Sequence, residues 1–160
     1  MLHYRQAVLS DAASLAQLRV GMLNEETQHR DGLNRTLGRN TKAYVEQGIG
    51  DGSLVTWVAQ QESTIVAMGC ACFFALPPND WCPGGRTAYI GNLYTDPAFR
   101  GRGIATRLLS LLLQEAKERQ CERLLLNTTE AGRPLYEKFG FESSPTAMAF
   151  YPLGISHDQM

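Results

Sequence analysis

From Ile90 to Leu113 the chain reads IGNLYTDPAFRGRGIATRLLSLLL, and that order of residue types narrows the local structure to one arrangement. Ile90 to Thr95 reads as a strand stopped by Pro97, Arg100-Gly101-Arg102-Gly103 as a short basic turn, and Ile104, Leu108, Leu111 and Leu112 as one face of a helix. A strand that passes into a helix through glycine builds an anion site. The first N–H groups of a helix have no intrahelical acceptor, and the aligned peptide dipoles put partial positive charge there. Gly101 and Gly103, lacking Cβ, can take φ > 0 and let an anion as bulky as a pyrophosphate approach the backbone.

Which anion is a separate question. The turn does not match the phosphate loop G-x-x-x-x-G-K-[ST], and Gly101 to Thr106 fails the dinucleotide fingerprint G-x-G-x-x-G because threonine holds its last place. With 15 basic and 16 acidic residues the net charge is −1, so no global basic field for nucleic acid exists and anion binding must be local.

The rest of the chain supplies a frame for this unit. Residues 3–8 predict a short strand; Ser10 and Asp11 offer helix caps, and Ala12, Leu15, Leu18 and Met22 predict a helix ending near Leu23. After a polar stretch, a second helix is expected from Thr41 to Gln47, stopped by Gly48. LVTWVAQ and TIVAMGCACFFAL, on either side of Gln61-Glu62-Ser63, predict an antiparallel hairpin, and the three prolines and two glycines of residues 77–86 predict a loop. Strand 87–95, a helix to about Gln120 and strand 122–127 form a βαβ-like unit with parallel strands. A helix at 131–139, ended by Gly140, and a last strand at 146–151 complete the expectation.

At 160 residues, 44% of them hydrophobic, the chain fits one domain, 1–160, with a core of its own. Cys70, Cys72, Cys82 and Cys121 form no C-x-x-C pair and have no histidine cluster beside them, so buried thiols are expected and a metal site is not. The amino end turns polar within ten residues, and no stretch approaches the ~18 apolar residues of a membrane helix, so a cytoplasmic protein with no membrane partner is expected.

Two segments carry a family resemblance. Arg100-Gly101-Arg102-Gly103-Ile104-Ala105 resembles the Arg/Gln-x-x-Gly-x-Gly/Ala signature of the GNAT superfamily of N-acetyltransferases, with Leu93 to Pro97 similar to the strand end that leads into it. Downstream, Arg133-Pro134-Leu135-Tyr136-Glu137-Lys138-Phe139-Gly140-Phe141 resembles that family's Leu-Tyr-Glu-Lys-x-Gly-Phe segment, and Arg5-Gln6-Ala7 with Asp11 resembles its opening more weakly. The resemblance implies an α/β (α+β) fold with a mixed, mostly antiparallel sheet of six to seven strands and about four helices, splayed between strands 87–95 and 122–127. It implies direct transfer of an acetyl group from acetyl-CoA, as cosubstrate, to a primary amine, without a metal. Homodimers are common among such proteins.

By the same resemblance Arg100, Gly101, Arg102, Gly103, Ile104, Ala105 and Thr106 would cradle the pyrophosphate, with Thr106 or Arg107 near a phosphate. Leu93, Tyr94 and Thr95 would hold the pantetheine arm, the Tyr94 N–H would meet the thioester oxyanion, and Asn127 would contact the pantetheine or the acceptor. Tyr136 would protonate the departing thiolate. An ordinary phenol at ~10 and a thiol at ~8.5 suit that exchange. Many members carry a glutamate on the strand before the turn to deprotonate the amine, but Tyr89 to Tyr94 holds no carboxylate. Glu26 is carried as the catalytic carboxylate, with Glu25 and Asp96 as alternatives; His29 sits in a polar stretch where exposure is the simpler expectation. Trp57 reads as core, and Trp81 as either a loop anchor or part of an acceptor pocket formed by the first helices and residues 77–86. Two other functions are compatible with a basic glycine turn: a non-catalytic acyl-CoA-binding module and a nucleic-acid-binding domain. The acceptor is left open among polyamines, amino acids, aminoglycosides, peptide N-termini and protein lysines.

Overall fold

The computed structural model describes residues 1–26 and 31–153, without the side chains of residues 26 and 31–34. Contacts gather the chain into two units, Met1–Asn127 and Thr128–Met160. The first unit is built on one sheet whose strands follow each other in space as in sequence: β1 (Leu2–Gln6), β2 (Leu54–Gln61), β3 (Thr64–Ala75), β4 (Arg86–Thr95) and β5 (Arg123–Leu125). The first four are antiparallel and β5 is parallel to β4. Its helices are α1 (Ala12–Glu26), α2 (Asp31–Asp51) and α3 (Ile104–Glu118).

Alternation along the central strands sends consecutive side chains to opposite faces. Val58 and Met68 join Ala12, Leu15 and Val45 on the α1–α2 side, whereas their neighbours Ala59 and Ala67 join Ile104 and Leu108 of α3 on the other. Both faces are therefore covered, which is why β2 and the middle of β3 read as nearly continuous apolar runs. The hairpin turns through Glu62 and Ser63, Gln61 pairing with Thr64 and Glu62 taking φ 54°.

Three expectations are corrected. The second helix is not the short piece Thr41–Gln47 but the 21-residue α2. Gly48 lies inside it because the helix runs close to β2: a Cβ there would come 2.4 Å from the Leu54 Cβ. Thr41 is correspondingly a buried mid-helix residue and not a cap. The strand expected at 122–127 shrinks to Arg123–Leu125, paired with Thr87–Tyr89. Beyond Tyr89, β4 continues to Thr95 with no β5 partner, so the two parallel strands part as anticipated.

The sheet has five strands among the described residues, not six or seven, because residues 146–151 form no ladder. Met148 and Phe150 are 98% and 86% exposed. Strand preference reflects packing on a pleated surface, and a β-prone run between Pro145 and Pro152 does not supply that surface for itself.

In the second unit, α4 (Arg133–Lys138) begins after Gly132, with Pro134 in its first turn, and is followed by Gly140 at φ 89°, as the sequence suggests. Arg133 ties the start of α4 to Glu130 at 2.9 Å and to the Ser143 hydroxyl at 2.6 Å. No described helix is long and apolar enough to cross a membrane.

Candidate active site

The end of β4 is shaped by a bulge. Met68 pairs with Tyr94 and Cys70 with Gly91, so Asn92 and Leu93 together face Gly69 alone, and Asn92 takes φ 52°. An extra residue re-aims the side chains that follow it. Leu93 packs on the α3 side and Tyr94 on the α1 side. Gly69 is small for a reason, since a Cβ there would stand 2.8 Å from Leu93 Cδ1.

After Thr95 the chain turns sharply. The Asp96 carboxylate accepts the Ala98 N–H at 2.9 Å, starting a single 3-10 turn over Pro97–Phe99. Asp96 is therefore occupied as a cap. Gly101 and Gly103 take φ 74° and 73°, and Gly103 is the N-cap of α3. A Cβ on either would meet nothing within 4 Å, so glycine is required by the backbone angle while the space above the turn stays open. The first helical bond runs from the Arg107 N–H to the Gly103 carbonyl, and from Gly101 to Thr106 no backbone N–H donates to a described acceptor. A consecutive run of donors at a helix N-terminus, free of acidic residues in its first turn and flanked by Arg102 and Arg107, can hold a polyphosphate.

A second cluster joins α1 to this turn. The Tyr94 hydroxyl donates to Glu25 Oε1 at 2.5 Å, and Arg100 Nη2 donates to Glu25 Oε2 at 2.6 Å. Arg100 Nε also donates to the Thr95 carbonyl at 2.9 Å, and its guanidinium carbon lies 5.6 Å from the centre of the Tyr94 ring. Arg100, and secondarily Tyr94, hold the Glu25 carboxyl below the usual carboxylate range; burial and then Glu25 push the Tyr94 phenol up to about 12, and Glu25 raises the Arg100 guanidinium. At neutral pH the phenol is a donor and Glu25 is an anion with little affinity for a further proton.

The residues singled out in the sequence sort accordingly. Leu93, Tyr94 and Thr95 lie together at the β4 end, and Arg100 to Thr106 form the turn and first turn of α3. The Arg102 side chain folds back, donating to the Ala98 carbonyl at 3.3 Å with its guanidinium 5.3 Å from the Phe99 ring centre. Asn127 is exposed shortly after β5. Tyr136 lies on α4 in the second unit, its ring edge-on to Phe141 at 5.8 Å. The Glu26 side chain and His29 fall outside the described residues.

Trp57 is half-buried against the α3-side core. Trp81 does not anchor its loop, being 91% exposed; Asn79 accepts the N–H groups of Trp81 and Cys82, and Glu122 accepts those of Gly84 and Arg86. That loop meets β4 at Arg86, eight residues before Tyr94, about 25 Å away at strand spacing. The end of α1, not the loop at 77–86, flanks the turn.

Glu25 is the residue that local sequence reasoning could not place. It lies 69 residues from Tyr94 and 75 from Arg100, and no short motif joins them.

The family model described as Acetyltransferase (GNAT) family matches residues 23–141, and the chain belongs to that family. It is 32% identical to a predicted acetyltransferase from Clostridium acetobutylicum crystallised with acetyl-CoA, covering 98% of this chain and 100% of that one with a TM-score of 0.85. A GCN5-related N-acetyltransferase from Ralstonia eutropha JMP134 is 26% identical, with 96% and 100% covered and a TM-score of 0.86. Among curated proteins, the probable glucosamine 6-phosphate N-acetyltransferase 2 of Oryza sativa subsp. japonica is 33% identical over 93 residues, 58% of this chain and 54% of the rice protein. The chain thus spans about half the length of that relative.

Proposed function

We propose that this chain is an N-acetyltransferase that moves the acetyl group of acetyl-CoA directly to a primary amine. The observation that carries the reading is the run of uncommitted N–H groups from Gly101 to Thr106, set by two glycines at φ > 0 between a splayed strand and a helix, in a member of an acetyltransferase family. In this reading Gly101, Arg102, Gly103, Ile104, Ala105 and Thr106 receive the pyrophosphate through their backbone. Leu93, Tyr94, Thr95 and Asn127 border the pantetheine arm where β4 has no β5 partner.

Each chemical step then falls to a group of the chain. The unprotonated amine attacks the thioester carbonyl, and the oxyanion is met by a backbone N–H beside the bulge that faces away from β3; Tyr94, opposite Met68 in the same alternation as the Asp96–Val66 hydrogen bond, turns its own N–H toward β3 instead. As the carbon–sulfur bond breaks, Tyr136 gives its proton to the thiolate; the amine proton passes to water or to Glu26. Two structure neighbours and the rice relative bear names of N-acetyltransferases or acetyltransferases, which supports the reading, and the rice name makes an amino sugar phosphate the first acceptor to try. The acceptor would enter beside the end of α1.

The test is thiol release from acetyl-CoA over a panel of amines: glucosamine 6-phosphate, polyamines, amino acids, aminoglycosides and peptides, with the mass of each acceptor read in parallel. One acceptor gaining an acetyl group in step with thiol release is the expected result. Tight CoA binding with no turnover on any amine would make this an acyl-CoA-binding module instead.

A further inference from the structure

We propose that Glu25 is a positioning residue of the acyl-CoA site, its carboxylate fastening Arg100 and Tyr94 so that the end of β4 and the glycine turn are held in one shape. The inference rests on the acetyltransferase reading given above. Glu25 spends its two oxygens on different partners, Oε1 on the Tyr94 hydroxyl and Oε2 on Arg100 Nη2. Arg100 in turn spans two elements, because its Nε holds the Thr95 carbonyl while its backbone opens the turn at Gly101. One carboxylate thereby connects the last turn of α1, the last residues of β4 and the start of the donor run.

Two other roles for Glu25 lead to different observable consequences. As the base for the amine it would need a free oxygen and an affinity for protons near the working pH; both oxygens are taken, and Arg100 lowers that affinity. As a mere stand-in for phosphate on Arg100, it would be displaced when CoA arrives. The direction of the Arg100 side chain argues otherwise: it runs back over the Tyr94 ring and onto the Thr95 carbonyl, toward the strand it leaves. A positioning role makes removal of the charge weaken CoA binding, whereas a competing role makes it tighten.

Calorimetric titration of CoA into the wild-type chain, Glu25→Gln, Arg100→Gln and the double variant distinguishes these. Glutamine keeps the shape and can still accept from Tyr94, so it removes the charge and little else. The Kd for CoA is expected to rise about twofold to fivefold in Glu25→Gln, the range an exposed ion pair supports, with the double variant no weaker than Arg100→Gln alone. In turnover assays the KM for acetyl-CoA rises by the same factor while kcat and its pH profile stay put. Glu25→Asp, which keeps the charge but is too short to bridge both partners, falls between wild type and Glu25→Gln.

Equal or tighter CoA binding by Glu25→Gln overturns the proposal, as do additive losses in the double variant. A fall in kcat with loss of the acidic limb of its pH profile also overturns it and makes Glu25 the base. If the wild-type chain itself does not bind CoA, the acetyltransferase reading fails first.

Discussion

Asp11 shows how much one carboxylate does at the residue scale. It accepts both arms of the Arg5 guanidinium, at 2.7 and 2.9 Å, and the Val8 N–H at 2.8 Å, so it closes the turn before α1 and pins β1 to it. The Arg5 guanidinium, followed by the Val8 N–H, holds its carboxyl below the usual carboxylate range. A lowered folded-state pKa gives stability that is present above the unfolded value of ~3.9 and lost as pH falls through the folded one. With side chains 30% and 13% exposed, Asp11→Asn should cost about 1 kcal/mol at pH 7. Urea melts of the two proteins should converge as pH falls through the lowered folded-state pKa of Asp11; a gap that persists once the carboxyl is protonated would assign the loss to packing. Tyr136→Phe addresses the proposed acid: a fall in kcat of about a hundredfold with little change in the KM for acetyl-CoA is expected. Unchanged kcat would leave Tyr136 as the ring packed on Phe141. Ser10 and Asp11, expected as caps of α1, lie instead inside a 3-10 turn over Leu9–Asp11, where Asp11 reaches back to the N–H of the N-cap Val8. The pairing of Asp11 with Arg5, like the Glu25 cluster, depends on which segments the fold brings together.

Helix α2 displays the same limit at the scale of an element. Glycines that read as breakers lie within it, and tertiary fit explains one of them, Gly48 against Leu54. Intrinsic preference favours alanine over glycine in a helix by up to ~1 kcal/mol. Gly48→Ala should nevertheless destabilise by about 1–3 kcal/mol, because its Cβ would lie 2.4 Å from that of Leu54 and helix and strand would have to separate. Gly50→Ala, two residues on with open space around it, should stabilise by about 0.5 kcal/mol. Opposite shifts of the thermal midpoint would bear this out, and a gain from both would remove close packing as the reason for Gly48. By contrast, the β2–β3 hairpin, the turn at Arg100–Gly103 and helix α3 were readable in advance. In each of them the residues that decide the structure are neighbours in the chain: alternating apolar residues about a short turn, glycines at φ > 0, and an apolar stripe at helical spacing.

In the first unit, a sheet covered on both faces opens for a ligand where β4 outruns β5, next to the bulge at Asn92 and Leu93. That parting was anticipated from the family resemblance; the strand expected at 146–151 was not found, since a ladder needs a partner that composition does not name. The near-neutral charge, −1, leaves local geometry to select the anion. The backbone from Gly101 to Thr106 is the proposed acyl-CoA cradle, and an NMR titration of the chain with CoA that follows every backbone amide tests that role. The amides of Gly101, Gly103, Ile104, Ala105 and Thr106 are predicted to shift most, with those of Leu93 to Thr95 next. Saturable CoA binding that leaves the amides of residues 101–106 unmoved would contradict it.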